Sequence, residues 1–157
     1  MSLSADIEGI DQFKASMEGF RAALFDGTAL LNIASQARDR VIVRTGAGKD
    51  IYNADFTPYS KRYRKMKEDR GIDGSVVDLK LTGQMLSDIS LSSEGGEAAI
   101  FFNSAESEAK AAYHNGEEAD NSMPQRAFFG LSGEDKDYIE GLFNEYADRV
   151  VKEANKG

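Results

Sequence analysis

Apolar residues recur from Ile10 in alternating steps of three and four: Ile10, Phe13, Met17, Phe20 and Leu24, then Leu31, Ala34 and Val41. That spacing is one stripe on a helix. Gly27 falls on the stripe within Asp26-Gly27-Thr28, where a glycine can end one helix and Thr28 can cap the next. The pattern predicts two consecutive helices, or one kinked helix, over about 5–44 and ending near Arg44. Unbroken, such a helix would span roughly 60 Å, too long for one compact domain of this size. The stripe reads first as core packing; its other use would be a first helix that clasps a neighbouring subunit.

Further on, the period changes. Thr45-Gly46-Ala47-Gly48-Lys49-Asp50 breaks the helix and reads as a flexible connection. It is not a phosphate cradle, because Lys49 is followed by Asp50 where a P-loop needs Ser or Thr. Thr57-Pro58-Tyr59-Ser60 opens a helix over about 58–67, with Thr57 as cap and Pro58 at the first position. Glu68 to Ser75 reads as a mobile loop. Val76 to Leu81 reads as a short extended segment feeding a turn at Thr82-Gly83.

Two apolar runs, Met85–Leu91 and Ala98–Phe102, flank Glu94-Gly95-Gly96-Glu97 and predict a β-hairpin. Ile89 and Leu91 share one face, and Ile100 and Phe102 share another with Phe101 opposite. An aromatic on the wet side of a hairpin implies a sheet covered on both faces. Ser104 to Tyr113 reads as a short helix capped by Ser104, with Glu106 and Glu108 where the dipole favours negative charge. His114-Asn115-Gly116 ends it, and a polar, acidic loop from Glu117 to Met123 follows. Pro124 to Ser132 carries Arg126, Phe128, Phe129 and Gly130. It predicts a strand whose aromatics enter the core, with Gly130 allowing a sharp exit. Ser132 then caps a last helix over about 132–154, with Asp135 at the capping-box position. Tyr138, Leu142, Tyr146 and Val150, widened by Ile139 and Phe143, give that helix an apolar face. The fold class predicted is therefore α+β. N-terminal helices and a C-terminal helix pack on a small, mainly antiparallel sheet, in a single domain whose sheet-containing core lies at about 76–131.

Composition narrows the chemistry. A chain of 157 residues suits one core. Without cysteine it has neither a disulfide framework nor a thiolate zinc site. His114 is the sole histidine and has neither a ligand set nor a nucleophile elbow beside it. No cofactor, metal or catalytic group is predicted. No apolar run approaches the length of a membrane span, so no membrane contact is expected. A net charge of −8 argues against sequence-independent nucleic-acid binding by the whole molecule. The local exception is Lys61, Arg62, Arg64, Lys65 and Lys67, a dense basic cluster interleaved with Tyr59 and Tyr63. It could meet phosphates or an acidic protein surface, or be a solvated helix face.

The order of segments carries a resemblance. DFTPYSKRY, DLKLTGQML, a hairpin, YHNG, and PQRAFFGLS before an acidic helix follow one another from Asp55 to Ser132. In that order the chain resembles the virion-morphogenesis or tail-completion (head–tail joining) family of long-tailed phages, typified by the G protein of phage Mu. The likeness covers about residue 30 to the C-terminus and rests on motif order. It implies a structural protein of a phage or prophage that completes the tail end or joins tail to head by ring assembly, not an enzyme. Implied partners are further copies of the chain in a cyclic homo-oligomer formed on a template, tail-tube and head-connector proteins, and DNA in transient passage. The implied location is the bacterial host cytoplasm during assembly and then the virion. Thr82, Gly83, His114, Asn115, Gly116, Arg126, Phe128, Phe129 and Gly130 are its structural motif, and the basic cluster its assembly surface. The alternative reading is a nucleic-acid- or protein-binding regulator that uses the basic helix 58–67.

Overall fold

A computed structural model describes the backbone at residues 2–4 and the whole chain at 26–116 and 124–156. Three strands and five helices occur among these residues: β1 (Ser2–Ser4), α1 (Gly27–Gly46), α2 (Lys61–Asp69), α3 (Gln84–Ser87), β2 (Ile89–Glu94), β3 (Glu97–Phe102), α4 (Ala105–Asn115) and α5 (Gly133–Ala154). The class is α+β with a small sheet. Strand order is β1-β3-β2, with β1 antiparallel to β3 and Leu3 opposite Ala98. The first predicted helix, up to about residue 25, lies outside the described residues, as does the loop 117–123.

The chain falls into two compact units. One comprises residues 1–37, 91–100 and 134–157. Its described core takes Leu30, Ile33, Ala34 and Ala37 from α1, and Ala98 and Ile100 from β3. The apolar face of α5 is present as predicted, with Ile139, Leu142, Phe143, Tyr146 and Val150 half-buried. Tyr138 is more exposed and donates from its hydroxyl to Gln36 Oε1 at 2.8 Å. The start of α1 is capped by Asp26, whose Oδ1 accepts from Thr28 N at 2.7 Å and Ala29 N at 3.3 Å. This corrects Thr28 as the cap. A carboxylate there answers both the orphan donors and the positive end of the helix dipole.

The other unit comprises residues 38–90 and 101–133 and holds every predicted site residue. Here Val41, Phe56, Val77, Leu79, Met85, Leu86, Ile89, Ala111 and Phe128 are buried. Several local expectations change. Residues 45–56 are a compact hydrogen-bonded turn, not a loose connection. Gly48 N donates to Thr45 O, Lys49 N to Arg44 O and Phe56 N to Gly48 O. Asp50 Oδ1 accepts from Tyr52 N and Ala54 N. Helix α2 begins at Lys61 with Ser60 as its cap, accepting from Tyr63 N at 3.2 Å. Thr57 and Pro58 stay outside because their carbonyls serve Arg126. Residues 68–75 are likewise tied down, by Ile72 N to Lys67 O and by Asp73 Oδ1 accepting from Ser75 N.

The hairpin turn is as predicted. Gly95 and Gly96 have φ of 62° and 82°, the pair of positive values that a two-residue turn between twisted strands requires. Its first strand starts later than the apolar run suggests. Met85 and Leu86 are adjacent and both buried, which a helical turn allows and an alternating strand does not. Thr82-Gly83 therefore leads into α3 instead of a strand. On β3, Ala98 and Ile100 are buried while Phe101 stands 39% exposed, so the described residues do not cover both faces of the sheet.

Candidate functional site

The site is built around Asn115 and Phe128. Helix α4 starts as the sequence implies, with Ser104 Oγ accepting from Ser107 N at 3.2 Å. Asp88 fixes that start by accepting from Ser104 N at 2.9 Å and Ser104 Oγ at 2.7 Å. These bonds hold the Asp88 carboxyl below the usual range. The helix ends at Gly116, whose φ of 78° suits a left-handed C-cap. Gly116 N reaches back to Tyr113 O. Ending there leaves Asn115 directed at the segment 124–130.

That segment forms no strand and joins no sheet. Its backbone groups are met by side chains and a turn instead of a ladder, which corrects the predicted strand. Asn115 Oδ1 accepts from Phe128 N at 3.1 Å and Phe129 N at 3.2 Å, while Asn115 Nδ2 donates to Phe129 O at 3.2 Å. Arg44 Nη2 donates to Phe128 O and Gly130 O, each at 2.8 Å. Ile51 N donates to Ala127 O at 2.9 Å, and Arg126 N to His114 O at 2.6 Å. Gly130 packs against Ile51, whose Cγ2 would lie 3.3 Å from a Cβ built there. The Phe128 ring is fully buried and meets Phe102, Phe129 and His114 at centroid distances of 6.4, 6.2 and 6.3 Å. Phe102 and Phe129 approach to 4.6 Å.

Arg126 joins this cluster to the start of α2. Its Nε donates to Thr57 O at 2.9 Å and Nη2 to Pro58 O at 3.1 Å, and the guanidinium lies 5.2 Å from the centroid of Tyr59. Lys67 Nζ stands 4.8 Å from that same ring and pairs with Asp78 at 3.0 Å. The Tyr59 hydroxyl accepts from Leu79 N at 3.0 Å. Burial raises the Tyr59 phenol above its ordinary value and lowers the Arg126 guanidinium. Leu79 has a φ of 56°, a left-handed conformation that costs a branched residue about 1 kcal/mol or more. This is why 76–81 is not extended throughout.

These contacts divide the predicted residues. His114, Asn115, Gly116, Arg126, Phe128, Phe129 and Gly130 come together. Thr82 and Gly83 line a cleft shared with His114 and Arg126. The basic cluster splits. Lys67 is fully buried and serves the interior, so it cannot belong to a surface with Lys61, Arg62, Arg64 and Lys65. Arg64 and Lys65 pair one turn along α2 with Glu68 at 3.0 Å and Asp69 at 3.2 Å, leaving Lys61 and Arg62 as its surplus charge. Sequence reasoning missed Arg44, Tyr59, Asp78 and Asp88 as holding groups. Arg44 alone left a signal, a cation at the end of an apolar helical stripe.

His114 is pushed down to about 4, first by burial and then by the positive charge of Arg126. Its Nδ1 has no hydrogen-bond partner among the described residues. The folded ring stays neutral through the range where an unfolded histidine, near 6.5, takes up a proton. Stability is therefore full above about pH 7 and falls between about 6.5 and 4. A sealed ring would lose about 3 kcal/mol; this one is half-buried, and screening reduces that to about 1–2 kcal/mol. Urea unfolding at pH 7.5 and 4.5 should show this loss in the natural chain but not in His114→Gln, and equal losses in both would contradict it.

Among the described residues no group of three histidine or acidic side chains could hold a metal ion. No helix among them is long and apolar enough to cross a membrane. Comparison with protein-family models, with curated proteins and with solved structures returned no match for this chain.

Proposed function

We propose that this chain is a structural protein of a phage or prophage, made in the bacterial host cytoplasm and carried into the virion. It completes the tail end or joins tail to head by ring assembly and protein–protein contacts, without catalysis of its own. The observation that carries the reading is the convergence of the motifs that bear the resemblance. Thr57, Pro58 and Tyr59 of the first motif bind Arg126 and Leu79. His114 and Asn115 of YHNG hold Arg126, Phe128 and Phe129 of the last. Segments far apart in sequence are thus parts of one polar-clamped unit, which is what a shared scaffold of such motifs requires.

In this reading Lys61 and Arg62, joined by Lys65 as it exchanges its exposed partner Asp69, meet an acidic surface on a neighbouring copy or on a tail protein, and head-to-tail contacts of that kind close a ring. Reversing all three to glutamate is expected to lower co-sedimentation with tail tubes at least tenfold while leaving the circular dichroism unchanged. Undiminished co-sedimentation would count against the patch. The regulator alternative draws less support, since Lys67 is buried and two of the remaining cations are paired. A steep fall of DNA affinity with salt would revive it.

A further inference from the structure

A cleft of about 650 Å³ opens in the same unit, beneath Tyr59 and Tyr63. Its apolar wall is Leu79, Leu81 and Met85, and its charged groups are Arg126 and Lys110, the latter paired one turn back along α4 with the exposed Glu106 at 2.6 Å. No carboxylate occurs among the described residues that line it, in a chain with 27 acidic residues. Arg126 is only 4% exposed and makes no ion pair among the described residues. Two of its five N–H donors go to the Thr57 and Pro58 carbonyls; among the described residues the others have no hydrogen-bond partner. A cation so buried is costly to hold without a counter-charge, and a carboxylate beside it would relieve that cost through charge-assisted hydrogen bonds.

We propose that this cleft docks an acidic linear segment of a partner protein, with one bulky apolar side chain seated against Leu79, Leu81 and Met85 and an adjacent carboxylate on Arg126, which Lys110 joins by exchanging its exposed partner Glu106. The volume is in the range of clefts that enclose ligands of several side-chain equivalents. Nucleic acid is the poorer fit. Its affinity comes from neutralising many phosphates, and the cleft offers two cations, one of them paired with Glu106, within a chain of net charge −8. The assignment rests on the cleft alone and stands apart from any role at a tail end.

The test is fluorescence anisotropy of the full chain with a fluorescein-labelled Asp-Glu-Phe-Glu-Asp peptide, with no tails present. Saturable binding is expected, weakened at least tenfold by Lys110→Glu, by Gln84→Trp at the rim, and by alanine in place of the peptide's phenylalanine. Both protein substitutions lie at exposed positions, and circular dichroism verifies that they fold. Absence of saturation, an alanine peptide that binds equally well, or indifference to Lys110→Glu would overturn the proposal. So would a peptide that binds only after Glu117, Glu118 and Asp120 are neutralised, because the cleft would then belong to the chain's own acidic loop. Equal affinity for a short oligothymidylate would overturn it too.

Discussion

Phe128→Ala is expected to destabilise the chain by about 3–5 kcal/mol, the range for truncating a fully buried aromatic. The ring has no exposed surface and sits among Phe102, Phe129 and His114, so its removal loses both transfer free energy and the contacts its neighbours made. Those neighbours belong to β3, α4 and the segment itself, and collapse of the cavity would require all three to move. A domain of this size commonly has about 5–15 kcal/mol in total, so the variant should be partly unfolded at 37 °C. Urea unfolding monitored by circular dichroism measures the loss. A change below about 1 kcal/mol would mean that the ring does not fill the core of this unit.

Asn115→Ala is expected to cost about 2–3 kcal/mol. Three hydrogen bonds of 3.1–3.2 Å disappear, and two backbone N–H groups and one carbonyl must find water at a half-buried site. Asn115→Asp separates the contributions, since it keeps the acceptor for Phe128 N and Phe129 N and loses the donor to Phe129 O. It should fall between alanine and the natural residue. The Asn115→Ala and Phe128→Ala losses should sum to more than the double variant shows, because both residues hold the same segment. Strict additivity would separate the clamp from the ring.

The parts of the fold legible in the sequence are those fixed by near neighbours. The Gly95-Gly96 reversal, the Ser104 cap and the apolar face of α5 depend on residues a few positions apart. Short apolar runs misled. Met85-Leu86 reads as a strand but forms a helical turn, and β1, with Leu3 flanked by serines, is too short to show alternation. Pro124 to Ser132 misled for a different reason. It forms no strand, and its hydrogen-bond partners are the side chains of Arg44 and Asn115, 84 and 13 residues from Phe128. No local pattern encodes a backbone segment held by distant side chains. The basic cluster shows the same limit. Five cations in seven residues look equivalent in sequence, yet Asp78 and Tyr59 draw Lys67 inside while Glu68 and Asp69 engage two others.

The site was legible as a set of residues and not as a mechanism of holding. Asn115, Arg126 and Phe128 stand out by type, an amide and a cation beside aromatics. That Arg126 is buried against backbone carbonyls, with the Tyr59 ring beside it, depends on α2 starting at Lys61 and not at Pro58. A cap shifted by three residues decides which carbonyls remain open to it.

The most direct test of the functional account is negative-stain microscopy of tail tubes assembled without this protein and then mixed with it. A ring or cap of added density at one end of the tubes is the expected result. Tube ends that stay bare at saturating protein, under conditions where the chain is folded, would contradict it.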